Sequence, residues 1–225
     1  MKFGKLIVIE GLDGSGKNTQ TELLINFFLK NKKNAKKISF PNYSSNSSAL
    51  VKMYLNSEFG KNPNDVNAYA ATSFYSVDRY ASFKKDWEKF YKIKDSVIVC
   101  DRYTTSNAIY QMPKLNKVEW DEYLTWLFDY EYNKLGLPKP DMVIYLSVPV
   151  EVSQKLMEKR YNGDESKKDM HESDVGFLKK CIKSAEYISR KQGWLTINCV
   201  ENGKMRDIHS IQNEIISCLQ KGCIL

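Results

Sequence analysis

Two hydrophobic rhythms alternate along the chain. Leu6 to Ile9, Val97 to Cys100 and Met142 to Leu146 are unbroken apolar runs, the pattern of strands buried on both faces of a parallel sheet. Between them apolar residues recur every three or four positions, as on one face of a helix. Leu23, Leu24, Phe27 and Phe28 mark a helix over Thr19 to Phe28, and Ile208, Ile211, Ile215, Ile216 and Leu219 mark another over Arg206 to Leu219. Short helices are expected at Ala49 to Leu55 and at about Val150 to Met157. A longer one runs from about Asp65, read as its N-cap, into the Tyr80 region, and Lys84 to Lys92 continues helically. Val118 to Tyr132 is a helix crowded with Trp120, Tyr123, Trp126, Phe128 and Tyr130. Helix resumes near Glu172 and runs to about Lys191. Ile38 to Pro41 is a short strand that the proline ends, and Trp194 to Cys199 is the last strand.

Strands that alternate with helices from end to end predict an α/β fold: a doubly wound parallel sheet of about five strands flanked by helices, with its ligand crevice at the carboxyl ends of the strands. Residues 1–225 read as a single domain. The polar, charged stretch Arg160 to Met170, with Gly163 inside it, predicts a short lid at about 158–171. Asn42 to Ser48, Glu58 to Asn64 and Leu137 to Asp141 read as loops and turns.

Composition changes this picture little. Of the 225 residues, 42% are hydrophobic and 27% charged, which is ordinary for a globular domain. No apolar run is long enough to span a bilayer, and Met1-Lys2-Phe3 leads straight into the first strand, so neither a membrane partner nor a signal peptide is expected. Cys100, Cys181, Cys199, Cys218 and Cys223 are scattered without a C-x-x-C spacing, which predicts no disulfide framework, no zinc site and a cytoplasmic location. Cys223 also stands one residue too near the end for a prenylation box. The net charge of +7 comes from dispersed lysines such as Lys30, Lys32, Lys36 and Lys84, without interleaved aromatics. A basic surface that attracts polyanionic nucleotides accounts for it better than a nucleic-acid partner.

The first chemistry lies directly after the first strand, in Gly11-Leu12-Asp13-Gly14-Ser15-Gly16-Lys17-Asn18-Thr19. Strand, glycine loop and helix form the G-x-x-x-x-G-K-[ST] phosphate cradle, with one departure: Asn18 stands where a hydroxyl should meet Mg2+, and Thr19 follows one place late. Gly11, Gly14, Ser15, Gly16, Lys17, Asn18 and Thr19 are therefore the expected nucleotide-phosphate contacts. At the end of a second buried strand, Asp101 is placed to hold Mg2+ together with Thr19, and the forked guanidinium of Arg102 suits a phosphate dianion. Asp13, acidic inside an anion cradle, reads best as an acceptor for a substrate hydroxyl. Tyr75 and Arg79, spaced i, i+4, can stack on a base and donate to its carbonyl edge, or can simply pair with each other.

Phe40-Pro41, Tyr75 to Arg79 and the run Asp101-Arg102-Tyr103-Thr104-Thr105-Ser106-Asn107-Ala108-Ile109-Tyr110-Gln111, together with the glycine loop, resemble the thymidylate kinases over nearly the whole chain. The resemblance implies a P-loop nucleotide kinase that moves the γ-phosphate of ATP, with Mg2+, to dTMP, and it implies a homodimer. It also implies that Asp13 holds the sugar 3′-hydroxyl region, Arg102 the dTMP phosphate, Tyr75 the thymine face and Arg79 its carbonyl. Ser106 and Asn107 would face base or sugar, and Tyr110 the ribose 2′ position. Phe40, Pro41 and Tyr43 would complete the acceptor site.

Three departures from that family stand out. Tyr43 occupies the position where many members carry an acceptor-binding arginine. Gly14 occupies the position where some carry a catalytic arginine, which shifts the search to the lid cations Arg160, Lys159, Lys167 and Lys168. Arg160 is the catalytic choice, beside Asp13, Lys17 and Arg102. Asn18 resembles the adenylate kinases, whose loop reads Gly-Lys-Gly-Thr. Two alternatives follow from these departures: a kinase for another nucleoside or nucleoside monophosphate, from Tyr43, and a nucleotide-binding regulator impaired in catalysis, from Asn18.

Overall fold

A computed structural model of the chain describes residues 3–164 and 169–222. The expectations attached to Met1, Lys2, Lys167, Lys168 and Cys223 lie outside those residues. The strands are β1 (Lys5–Gly11), β2 (Ala35–Ser39), β3 (Val97–Asp101), β4 (Met142–Ser147) and β5 (Leu195–Asn198), followed by the two-residue strands β6 (Val200–Glu201) and β7 (Lys204–Met205). The helices are α1 (Lys17–Lys30), α2 (Ala49–Leu55), α3 (Ala68–Ser82), α4 (Glu88–Tyr91), α5 (Thr104–Tyr110), α6 (Trp120–Phe128), α7 (Val150–Arg160), α8 (Met170–Ser173), α9 (Val175–Gln192) and α10 (Ile208–Lys221).

The first five strands make one sheet in the order β2-β3-β1-β4-β5, every pair parallel, while β6 and β7 form a separate antiparallel hairpin. This is the expected doubly wound sheet. Its inner strands β1, β3 and β4 are mostly apolar because both faces are covered, whereas the edge strand β2 carries Lys36 and Lys37. Ile7, Ile9, Val99 and Ile144 pack on Leu24 and Phe28 of α1 and on Ile211, Ile215 and Leu219 of α10. The alternate residues Leu6, Val8, Ile98 and Cys100 face the other way, onto Phe83, Trp87 and Tyr103. Cys100, Cys181, Cys199 and Cys218 are all free thiols. Among the described residues, no helix is long and apolar enough to cross a membrane.

Several boundaries differ from the sequence reading, each for a local reason. Helix α3 begins after Asn67, whose side chain accepts from Ala70 N at 2.8 Å. Asp65 instead pairs with Asn62 in a capping box around the short turn Pro63–Asp65. The stretch Lys84 to Lys92 is not one helix: a wide turn over Phe83–Trp87 runs into the four residues of α4. Helix α6 is likewise shorter than Val118 to Tyr132, with a tight turn over Lys117–Glu119 before it and a wide turn over Asp129–Lys134 after it. Helix α7 extends through Arg160, so the polar stretch of the expected lid starts on a helix end, and α8 begins at Met170.

Candidate functional site

Strands β1 and β3 are neighbours, with Ile9 opposite Asp101. The glycine loop and Asp101-Arg102 therefore emerge side by side from the carboxyl edge of the sheet, as an open parallel sheet requires of its ligand crevice. The loop enters α1 through Gly16, which sits in the left-handed region (φ 85°) and supplies no side-chain cap, and the first turn of the helix carries no acidic residue. Its backbone N–H groups and its positive dipole end are thus directed at whatever anion enters.

Gly14 is also left-handed (φ 77°), and a Cβ there would stand 2.7 Å from the carbonyl oxygen of Ser153 on α7. The close seating of α7 on the loop, besides backbone strain, leaves no room for a side chain at this position.

The charges in this crevice are tightly interlocked. Lys17 Nζ donates to the Leu12 carbonyl at 2.7 Å and lies 4.0 Å from Asp13 Oδ1. Burial, joined by the Arg102 charge, draws its ammonium down to about 8 against the opposing pull of Asp13, Asp101 and Glu10. Arg102 takes a left-handed backbone (φ 66°), a strained conformation for a side chain of its size. Its Nη2 reaches Asp13 and, at 3.3 Å, the Tyr110 hydroxyl, with the guanidinium 5.1 Å from the Tyr110 ring centre. Tyr110 in turn donates to Asp13 Oδ2 at 3.0 Å. Burial alone would raise the Asp13 carboxyl, but the Arg102 and Lys17 charges hold it well below the usual carboxylate range.

Asp13, Phe40, Pro41, Tyr43, Tyr75 and Arg79 line one cleft, and Arg102, Ser106, Asn107 and Tyr110 line it too. Every residue expected to touch the acceptor therefore converges on one cavity, although they come from the glycine loop, the segment after β2, α3, the end of β3 and α5. Two details differ from expectation. The Ser106 hydroxyl is engaged by both oxygens of Glu10, at 2.9 and 2.8 Å. Arg79 is buried, and two of its nitrogens are taken by Glu131, at 2.8 and 2.5 Å. Arg79 and Arg102 are the cations of the cleft, and each is paired with a carboxylate.

The remaining expected contacts divide. Ser15 Oγ is buried with no hydrogen-bond partner, consistent with a donor waiting in the phosphate cradle. Asp101 is buried at the end of β3, and its Oδ1 also lacks a partner. Thr19 is exposed on the first turn of α1. Mg2+ that is held mainly by substrate phosphates needs only one or two protein oxygens, so the unpartnered Asp101 carboxylate oxygen fits that ion. The exposed side chain of Asn18 accepts from Lys37 Nζ at 2.7 Å, on β2. Arg160 and Lys159 lie exposed at the end of α7, with the Arg160 guanidinium 5.6 Å from the Tyr161 ring centre.

Several residues of the site gave no signal in the sequence reading. Glu10, near the end of the buried run of β1, is fully buried; besides Ser106 it accepts from Tyr103 N at 3.1 Å and Thr105 Oγ1 at 2.6 Å. Burial raises its carboxyl despite Arg102 and these bonds. An acid in a buried strand was the available clue. Asp169 and His171 line the cleft from α8 and its cap. Burial and then the Asp13 charge push Asp169 up to about 7. His171 Nε2 is bonded to the Tyr54 hydroxyl at 2.8 Å, which also accepts from Lys114 Nζ at 2.8 Å, and its ring stacks on Tyr110. Nothing in the local sequence announces that chain, because its members lie 60 and 117 residues apart.

The family model for thymidylate kinase matches residues 9–211, from the middle of β1 to α10. The chain belongs to the thymidylate kinase family. It is 30% identical over 225 residues to the thymidylate kinase of Plasmodium falciparum, covering 98% of this chain and 91% of that relative. Against the thymidylate kinase of Mycobacterium tuberculosis strain H37Rv it is 30% identical over 192 residues, covering 84% of this chain and 87% of the relative. A solved structure of thymidylate kinase from Candida albicans superimposes with a TM-score of 0.70 at 23% identity, covering 97% of this chain and 92% of the other. That last likeness speaks for the shared fold.

Proposed function

We propose that the protein transfers the γ-phosphate of ATP to dTMP, giving dTDP. The observation that carries this reading is the convergence of Asp13, Tyr75, Arg79, Arg102, Asn107 and Tyr110 on one cleft beside an anion-binding loop and helix end. In this reading the glycine loop, Ser15 and Lys17 grip the donor phosphates. Tyr75 stacks on thymine, Arg79 meets its carbonyl edge, and Tyr110 bounds the sugar. Asp13 and Arg102, paired in the empty cleft, separate to take the sugar hydroxyl region and the acceptor phosphate.

The acceptor monoester has a second pKa of about 6, so near neutral pH it is already a dianion and no general base is needed. The protein's task is to hold two polyanions in line and to spread the charge of a loose transition state. Lys17 and Arg102 do this from two sides, and Arg160 at the end of α7 is the third cation. Asp101 and Thr19 would hold Mg2+, which would supply charge neutralisation at the donor phosphates. The protein is further inferred to be a homodimer.

The pairing of both cleft cations with carboxylates, with Tyr43 in place of a further arginine, favours one second reading: a related kinase whose acceptor carries less charge. A coupled ADP-release assay over nucleosides and nucleoside monophosphates decides between them. Turnover with dTMP is the expected result; turnover with nucleosides only establishes the second reading, and nucleotide binding without any turnover refutes both.

A further inference from the structure

Glu131 belongs to none of the motifs above, yet it is the most heavily bonded side chain beside the cleft. It sits in the wide turn Asp129–Lys134 after α6 and is fully buried. Its Oε2 accepts from Arg79 Nε at 2.8 Å and from Thr104 Oγ1 at 2.5 Å. Its Oε1 accepts from Arg79 Nη2 at 2.5 Å, Ser76 Oγ at 2.8 Å and Asn107 Nδ2 at 3.1 Å. Arg79 and Asn107 line the cleft; Ser76, Thr104 and Glu131 do not.

Two consequences follow from the chemistry of the groups. An ionised carboxylate can only accept, so it takes the NH2 side of the Asn107 amide and leaves Oδ1, an acceptor, as that amide's remaining polar atom. The fork from Nε and Nη2 fixes the guanidinium plane and leaves Nη1, a donor, whose partner among the described residues is the Tyr103 carbonyl at 3.4 Å. A donor and an acceptor are thus presented from one buried carboxylate.

We propose that Glu131 is the positioning residue for acceptor-base selectivity, holding Arg79 as donor and Asn107 as acceptor against the 4-keto oxygen and N3–H of thymine or uracil. Cytosine, with an amino group and a bare N3 at those places, meets a donor with a donor and an acceptor with an acceptor. The inference rests on the acceptor reading given above and adds to it the reason for a keto over an amino base. A site built to hydrogen-bond a substrate edge rejects the mismatched edge strongly, because its own buried groups are left unpaired. An ion pair with a purely structural role would lower turnover of both bases in proportion.

The test compares kcat/KM for dTMP and dCMP, with ATP as donor, in the full-length protein and in Glu131→Gln. The wild-type protein is expected to favour dTMP by about a hundredfold or more. In Glu131→Gln the ratio is expected to fall by about tenfold or more, since glutamine receives either side of the Asn107 amide and no longer anchors Arg79 by charge. An unchanged ratio in folded Glu131→Gln, whatever its absolute rate, overturns the proposal. If that variant does not fold, Thr104→Val decides, because it removes one anchor of the carboxylate from outside the cleft. A ratio lowered about threefold supports the proposal and an unchanged ratio overturns it. Wild-type protein inactive on dTMP would overturn the acceptor reading itself, whereas protein equally active on dTMP and dCMP would overturn this inference alone.

Discussion

Lys17 is buried at the start of α1, a position that suits a phosphate. Burial and the Arg102 charge leave its ammonium at about 8. Affinity for ATP in the free protein should therefore fall as pH rises through about 8, approaching tenfold per pH unit above it. Calorimetric titration between pH 7 and 9.5 measures this. Lys17→Ala should bind weakly with a flat profile over that range, and its kcat should be lower by about 10²–10³-fold. The stability sign runs the other way: the folded value lies below the ordinary one, so the charged lysine costs stability below about pH 8 and the cost is relieved as pH rises toward 10.5.

Asp169 presents the opposite case, its carboxyl raised from 3.8 to about 7 by burial and Asp13. Its penalty is absent at low pH and grows as pH rises from about 4 to about 7. Asp169→Asn keeps an acceptor for the N–H groups of His171 and Glu172 that Asp169 Oδ1 now caps. Thermal melts should find the variant level with wild type near pH 4 and more stable at pH 7.5. Equal melting temperatures at both pH values would remove the claim.

Among the elements, those bounded by local chemistry were legible. Helix α2 runs over Ala49–Leu55 as its pattern indicates, and the strand runs mark β1, β3 and β4 to within two residues. Helix α5 was not legible. Its residues Thr104 to Tyr110 carry β-branched and polar side chains with weak helix preference, and they are ordered by burial against α9 and by bonds to Glu10 and Glu131. Tertiary contacts outweigh propensity there. Helix α1 depends on its packed stripe, in which Leu24 is fully buried among Ile7, Ile9 and Phe28. Leu24→Ala should cost about 3–5 kcal/mol in urea unfolding while the phosphate loop, at the start of the same helix, keeps its nucleotide affinity at low temperature.

For the whole molecule, the expected homodimer needs an apolar face that the protomer's own core does not use. Trp120, Tyr123, Leu124 and Leu127 of α6 turn inward and are consumed by the core of the protomer. Among the exposed apolar side chains, Tyr69, Val77 and Tyr80 share one face of α3, at 37%, 43% and 41% exposure. Val77→Asp should convert a dimer into a monomer in sedimentation equilibrium, leaving the inward face of α3, with Arg79 and Ser76, in place. A dimer that persists in the variant would exclude this face as the interface.

The sequence by itself determined the sheet and the phosphate loop and singled out Tyr75, Arg79 and Arg102 as acceptor candidates, because each rests on a short-range pattern: an apolar run, a glycine spacing, an i, i+4 pair, a strand end. What only the tertiary structure decided are the pairings across distance. Glu131 meets Arg79 across 52 residues, His171 meets Tyr54 across 117, and α7 closes on Gly14. A carboxylate in a helix-like stretch looks like any solvated charge until the fold removes its water, and only then must it find its donors.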